Sequence, residues 1–155
     1  MNNQNDPIQD ELDAIEWQYA DKDLSAINEL TKRIEETGRN FGLISYTDLV
    51  NGVIFNYPNI NGGNGYHINI YDWSGLDRRI TGDCLGYISW KSYTEANFMA
   101  SALVIGRMES KPSEIFFNWM VDLGVLQDNN EDTVLAYWSQ QVKKAHQWYK
   151  YGRII

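Results

Sequence analysis

The sequence predicts a helix-dominated α+β fold in a single domain spanning residues 1–155, with about five helices and about three short strands. Most apolar residues recur at the three- and four-residue spacing of amphipathic helices. Strand character is confined to the segments 53–55, 66–71 and 98–105. A length of 155 residues suits one core, and the hydrophobic fraction of 43% is that of a globular chain.

The first 38 residues predict two helices that form an acidic hairpin packed on a core of residues 40–155. Asp6 and Pro7 suit the N-cap and first position of a helix that carries an apolar stripe on Ile8, Leu12, Ile15 and Tyr19. Asp21 or Asp23 is expected to open the second helix. Leu24, Ile27, Leu30 and Ile34 form one stripe of this helix, and Gly38 suits the C′ position that ends it.

The remaining elements follow in order along residues 45–149. Ser45 caps a short helix over 47–51, and a glycine-rich hairpin tip joins strands 53–55 and 66–71. Asp72 is expected to cap a buried helix over 73–90, although three glycines weaken its interior. A strand buried on both faces follows over 98–105. Two more helices are expected, one over 112–123 and one opened by Asn130 or Asp132, whose stripe comprises Leu135, Trp138, Val142, Ala145 and Tyr149.

The charge of the chain is distributed unevenly. Residues 1–38 hold ten acidic and three basic residues, so they supply −7 of the formal net charge of −8. From residue 143 onward there is no acid, whereas Lys143, Lys144, Lys150 and Arg153 are cations. An acidic surface repels phosphate backbones and attracts basic surfaces. The sequence therefore predicts a basic protein partner, gripped by Asp10, Glu11, Asp13 and Glu16 with Trp17 as an aromatic among the acids.

Catalytic chemistry is weakly represented, and the protein is expected not to be an enzyme. Cys84 lies on the apolar stripe of a predicted helix, where cysteine behaves as a small hydrophobe. His67 and His146 are the two histidines, so a hydrolase or nuclease with an acid–base pair would have to use both. Residues 62–65 lack the lysine of a phosphate-binding loop. We expect no cofactor and no metal site, since ligand spacing is missing.

The central segments Ile44–Val50, Asp77–Gly86 and Phe98–Ile105 resemble the winged-helix DNA-binding domain of alkylguanine-DNA alkyltransferases and alkyltransferase-like proteins. The resemblance implies a winged-helix-like centre and a nucleic-acid-binding module as the alternative function. Residues 99–102 stand where that family carries Pro-Cys-His-Arg, so alkyl transfer is not implied. Contacts to nucleic acid would come from Arg78, Arg79, Lys143, Lys144 and Lys150, with Asp77 and Asp83 opposing them.

In general type the chain resembles toxin-immunity proteins and phage-encoded inhibitors of bacterial defence nucleases, which are small, acidic and without a catalytic set. We therefore expect a protein that binds and neutralises or regulates a basic partner such as a toxin or nuclease. The polar start and the lack of a long apolar run predict a cytoplasmic location with no membrane contact.

Overall fold

A computed structural model describes residues 6–155, which form six α-helices and a small two-stranded sheet. The helices are α1 (Pro7–Asp13), α2 (Leu24–Arg39), α3 (Tyr46–Val50), α4 (Gly75–Ala96), α5 (Glu114–Asp122) and α6 (Glu131–Tyr151). The strands β1 (Ile44–Ser45) and β2 (Val104–Ile105) pair in parallel. The helix-dominated α+β prediction is confirmed, whereas the prediction of three strands is wrong.

Two of the predicted strands are reduced to one antiparallel bridge. Phe55 and Tyr66 exchange backbone hydrogen bonds of 2.9 and 2.7 Å, and no ladder extends from this pair within residues 6–155. The chain between them turns through positive φ angles at Asn61 and three glycines. After the bridge, a turn closed by the Asp72 N–H and the Asn69 carbonyl ends the extended backbone. These turns leave too few extended residues for a hairpin.

The segment 98–105, predicted as a strand, forms a buried 3₁₀ turn (Ala100–Leu103) followed by the two residues of β2. Side chains take the place of neighbouring strands as hydrogen-bond partners for its backbone. The Met99 N–H donates to Gln141 Oε1 at 2.8 Å, and the Ala100 N–H donates to Ser92 Oγ at 2.9 Å. The near-continuous apolar pattern correctly indicated burial, but a buried turn and a buried strand share that pattern.

The N-terminal helices do not pack as the predicted hairpin. α1 ends at Asp13 rather than near Tyr19, and it packs mainly on α4. α2 packs mainly on α6. Gly38, predicted to follow α2, lies buried within its last turn, and Asn40 is the C-cap. A side chain at position 38 would overlap the Tyr149 ring, so glycine allows α2 and α6 to approach closely.

The core consists of two apolar clusters. One lies among α2, α4 and α6 and includes Ile34, Ile80 and Phe98. The other lies under α5 and joins Leu12 of α1 to Met99 and Met120. Ser74, rather than Asp72, caps α4 through a reciprocal capping box with Asp77. Within residues 6–155, no helix has the length and apolarity needed to cross a bilayer.

Candidate partner-binding surface

The acidic surface consists of Asp10, Glu11, Asp13 and Glu16, and all four side chains are exposed. It lies on α1 and on the segment that follows it. The buried face of α1 presents Leu12 to the second apolar cluster, so the acids point outward. Gln9 Nε2 donates to Thr94 Oγ1 of α4 at 2.8 Å, and Trp90 Nε1 donates to Asp13 Oδ1 at 2.8 Å. These contacts fix α1 on α4.

The acidic surface carries its charge without internal compensation. The structure contains three ion pairs among residues 6–155: Lys22–Asp21, Arg33–Glu29 and Arg107–Asp48. None of them includes a member of the acidic surface. Its negative field therefore acts on solvent and on approaching molecules.

Asp13 differs from the other acids because it is held by neutral donors. The Trp90 indole N–H, followed by the Gln9 amide, holds the pKa of the Asp13 carboxyl below its ordinary value. The carboxylate form is the one that accepts these hydrogen bonds. The contribution of these bonds to stability is therefore present at neutral pH and is lost as the pH falls through the lowered pKa.

Trp17 does not project among the acids. Its ring is half-buried on α4, with its centroid 5.6 Å from that of Tyr87 and 6.2 Å from that of Trp90. Gly86 provides the room for this contact, because a Cβ at that position would lie 3.0 Å from the Trp17 ring. Trp17 thus anchors the segment that carries Glu16 to α4.

Asp83 holds the next part of the same segment. Its carboxylate accepts hydrogen bonds from the backbone N–H groups of Tyr19 and Ala20, both at 2.9 Å, and from that of Gln18 at 3.4 Å. Asp83 lies four residues after Arg79, a spacing that permits an ion pair on a helix, but its carboxylate instead binds the backbone before α2. Asp23 acts similarly, since its carboxylate accepts from the N–H groups of Ala26 and Asn56.

The residues of the alternative nucleic-acid surface are divided between two helices. Arg78 and Arg79 are exposed near the start of α4, while the neighbouring Asp77 is buried and accepts a hydrogen bond from the Tyr66 hydroxyl. The cations of α6 are Lys143 and Lys150, which are exposed, and Lys144, which is half-buried. Lys144 points about 100° away from Lys143 around the helix, so the three do not form one stripe.

The two histidines have separate surroundings. His146 is half-buried on α6, where its Nε2 lies 2.9 Å from the Gly42 carbonyl oxygen and its ring meets the Phe41 ring edge-on. His67 is exposed just after the Phe55–Tyr66 bridge. The structure gives no hydrogen bond between these two side chains. Among the residues it describes, it also contains no cluster of histidine, cysteine and acidic side chains suited to a metal ion.

Cys84 is fully buried on α4 within the first apolar cluster. Burial, followed by the nearby charge of Asp83, raises the pKa of its thiol to about 12. At neutral pH the thiolate, which is the nucleophilic form, is therefore scarce.

An exposed aromatic residue just beyond the C-terminal end of α2 was not predicted from the sequence. Phe41 follows that helix with φ 56°, a left-handed conformation that is an outlier for a bulky side chain. The sequence did not predict this conformation, because Gly38 was expected to end the helix.

No family model matches the chain, and neither a curated protein nor a solved structure shows significant similarity to it.

Proposed function

We propose that the protein is a non-enzymatic interaction protein that binds a basic protein partner through its acidic surface and so neutralises or regulates it. The observation that carries the proposal is the set of exposed acids on and after α1, which take part in no ion pair with residues 6–155. Opposite charge on two proteins steers their encounter and raises the association rate.

The acids are rigidly supported, which favours a role in partner recognition in addition to any effect on solubility. Leu12 anchors the chain among the acids, Trp17 anchors it directly after Glu16, and Asp83 fixes the backbone that follows. A pre-organised surface loses less conformational entropy on binding than a mobile acidic tail does. An immunity-type or anti-defence inhibitor of a basic toxin or nuclease fits this chemistry.

Reversing Asp10, Glu11 and Glu16 to lysine is expected to slow association with the basic partner by at least tenfold, because the steering field is removed. The salt dependence of the association rate should flatten at the same time. Asp13 is left in place, since it also accepts a hydrogen bond from Trp90. The partner is first recovered by chemical cross-linking, and association of the purified pair is then followed by stopped-flow fluorescence over a series of salt concentrations.

A matched control reverses Glu36, Asp72 and Asp122, which are also exposed and lie in other parts of the chain. This control changes the net charge by the same amount but leaves the acidic surface intact. It should therefore slow association much less if the location of the charges determines steering. Equal association rates for the wild type and the triple variant of Asp10, Glu11 and Glu16 would show that the acidic surface is not part of the interface.

The nucleic-acid-binding alternative, with its winged-helix-like centre, is favoured by the exposure of Arg78 and Arg79. Binding of labelled duplex DNA, measured over the same series of salt concentrations, distinguishes this alternative from a protein-binding function. Submicromolar binding that falls steeply with salt would support that alternative and contradict a protein partner.

A further inference from the structure

A second exposed surface lies at the ends of α2 and α6, and its chemistry is opposite to that of the acidic surface. Its apolar part is formed by Phe41, Leu43 and Tyr151, with exposed fractions of 51%, 40% and 57%. The Phe41 ring lies 6.3 Å from that of Tyr151 and 5.6 Å from that of His146, measured between centroids. We refer to this patch with its surrounding cations as the basic aromatic surface.

The backbone at Phe41 is held in an unfavourable conformation. The Phe41 N–H donates to the Gly38 carbonyl at 3.0 Å, and the Gly42 N–H donates to the Thr37 carbonyl at 2.9 Å. This is the Schellman pattern that ends many helices, and its left-handed position is usually glycine. A phenylalanine there is strained and half-exposed, so folding alone does not account for it. Strained residues of this kind concentrate at binding sites.

Cations surround the exposed rings. Lys143 and Lys150 lie three residues before and four residues after His146, so they share the face of α6 that His146 presents to Phe41. Arg39 and Arg153 flank the patch along the chain, and both are exposed. None of these four forms an ion pair with any residue from 6 to 155. Together they attract carboxylates around an apolar contact.

We propose that the basic aromatic surface binds an acidic peptide segment of a partner, with an apolar side chain placed against Phe41 and Tyr151. A short acidic segment fits better than a nucleic acid for two reasons. The net charge of −8 repels a long polyanion. The Phe41 ring also meets its two neighbours at 50° and 90°, which presents edges rather than a flat platform for stacked bases. This surface is distinct from the acidic surface and does not depend on it.

The test uses fluorescence anisotropy with a fluorescein-labelled peptide that carries a central tryptophan and leucine among glutamates, at low ionic strength. The wild-type protein should bind it saturably, with a Kd below about 1 mM. Phe41→Gly should weaken binding roughly tenfold without lowering the thermal midpoint, because glycine adopts the left-handed conformation without strain. Tyr151→Ala, outside the strained turn, should weaken binding similarly and keeps the test valid if Phe41→Gly folds poorly.

Charge variants of α6 test the position of the surface. Lys143→Glu combined with Lys150→Glu should weaken peptide binding at least tenfold and reduce its salt dependence. The matched control reverses two exposed cations on another helix, Arg78 and Arg79 of α4, to glutamate, and it should change affinity less than twofold. Absence of saturable peptide binding, unchanged affinity in both aromatic variants, or tighter binding of a labelled oligothymidine than of the peptide would each overturn the proposal.

Discussion

Replacing Gly38 by alanine is expected to lower the free energy of unfolding by about 1–3 kcal/mol, the range for overpacked interiors. Alanine is the better helix former by about 1 kcal/mol, so propensity alone predicts the opposite sign. Packing decides, because a Cβ at position 38 would overlap the ring of Tyr149 on α6. That ring is itself in edge-on contact with Phe98 in the core. Urea unfolding followed by tryptophan fluorescence measures the difference.

Gly82→Ala is the matched control for this prediction. Gly82 lies within α4, is exposed, and has open space where a Cβ would stand. Alanine there should raise the free energy of unfolding by about 0.5–1 kcal/mol. If both substitutions stabilise the protein, the close approach of α2 and α6 at Gly38 is wrong.

Replacing Asp83 by alanine is expected to lower the free energy of unfolding by about 2 kcal/mol, because it leaves backbone donors before α2 without their acceptor. The carboxylate accepts from the N–H groups of Tyr19 and Ala20, and both bonds are partly shielded from water. Amide hydrogen exchange at these two residues should also accelerate, because the segment between α1 and α2 loses its attachment to α4.

Asp83→Asn retains an oxygen acceptor and should recover part of the lost stability. Asp72→Ala removes an exposed acid that caps no helix, and its effect should stay within about 0.5 kcal/mol. Equal stability of Asp83→Ala and Asp72→Ala would show that Asp83 does not hold the segment.

Long amphipathic segments were predictable because their pattern reflects burial on one face. The stripes of α2 and α6 are examples, since Leu30, Ile34 and Ala145 are fully buried. Leu24, which was placed on the same stripe, is exposed because it lies at the first position of α2. Short elements were not predictable, since their backbone partners come from distant residues. The turn at Ala100 depends on Ser92 and the Met99 amide depends on Gln141, and no local pattern contains these pairings.

The candidate surface was partly predictable for a similar reason. Exposed acids follow from composition and helix periodicity, so Asp10 and Glu11 could be identified on the outer face of α1. The role of Trp17 could not be identified from the sequence. Its packing depends on the absence of a side chain at Gly86, which lies far away along the chain. In the sequence, Asp83 stands among the charged residues of a predicted helix. In the structure, its partners are backbone N–H groups of the segment between α1 and α2.

Hydrogen-exchange mass spectrometry of the protein, free and bound to its basic partner, tests the interface most directly. Amides slow their exchange where a partner excludes water or suppresses local opening. If the acidic surface forms the interface, peptides covering residues 7–22 should gain protection in the complex, and the triple reversal of Asp10, Glu11 and Glu16 should abolish it. Protection confined to residues 39–43 and 143–153, with residues 7–22 unchanged, would contradict the proposed role of the acidic surface.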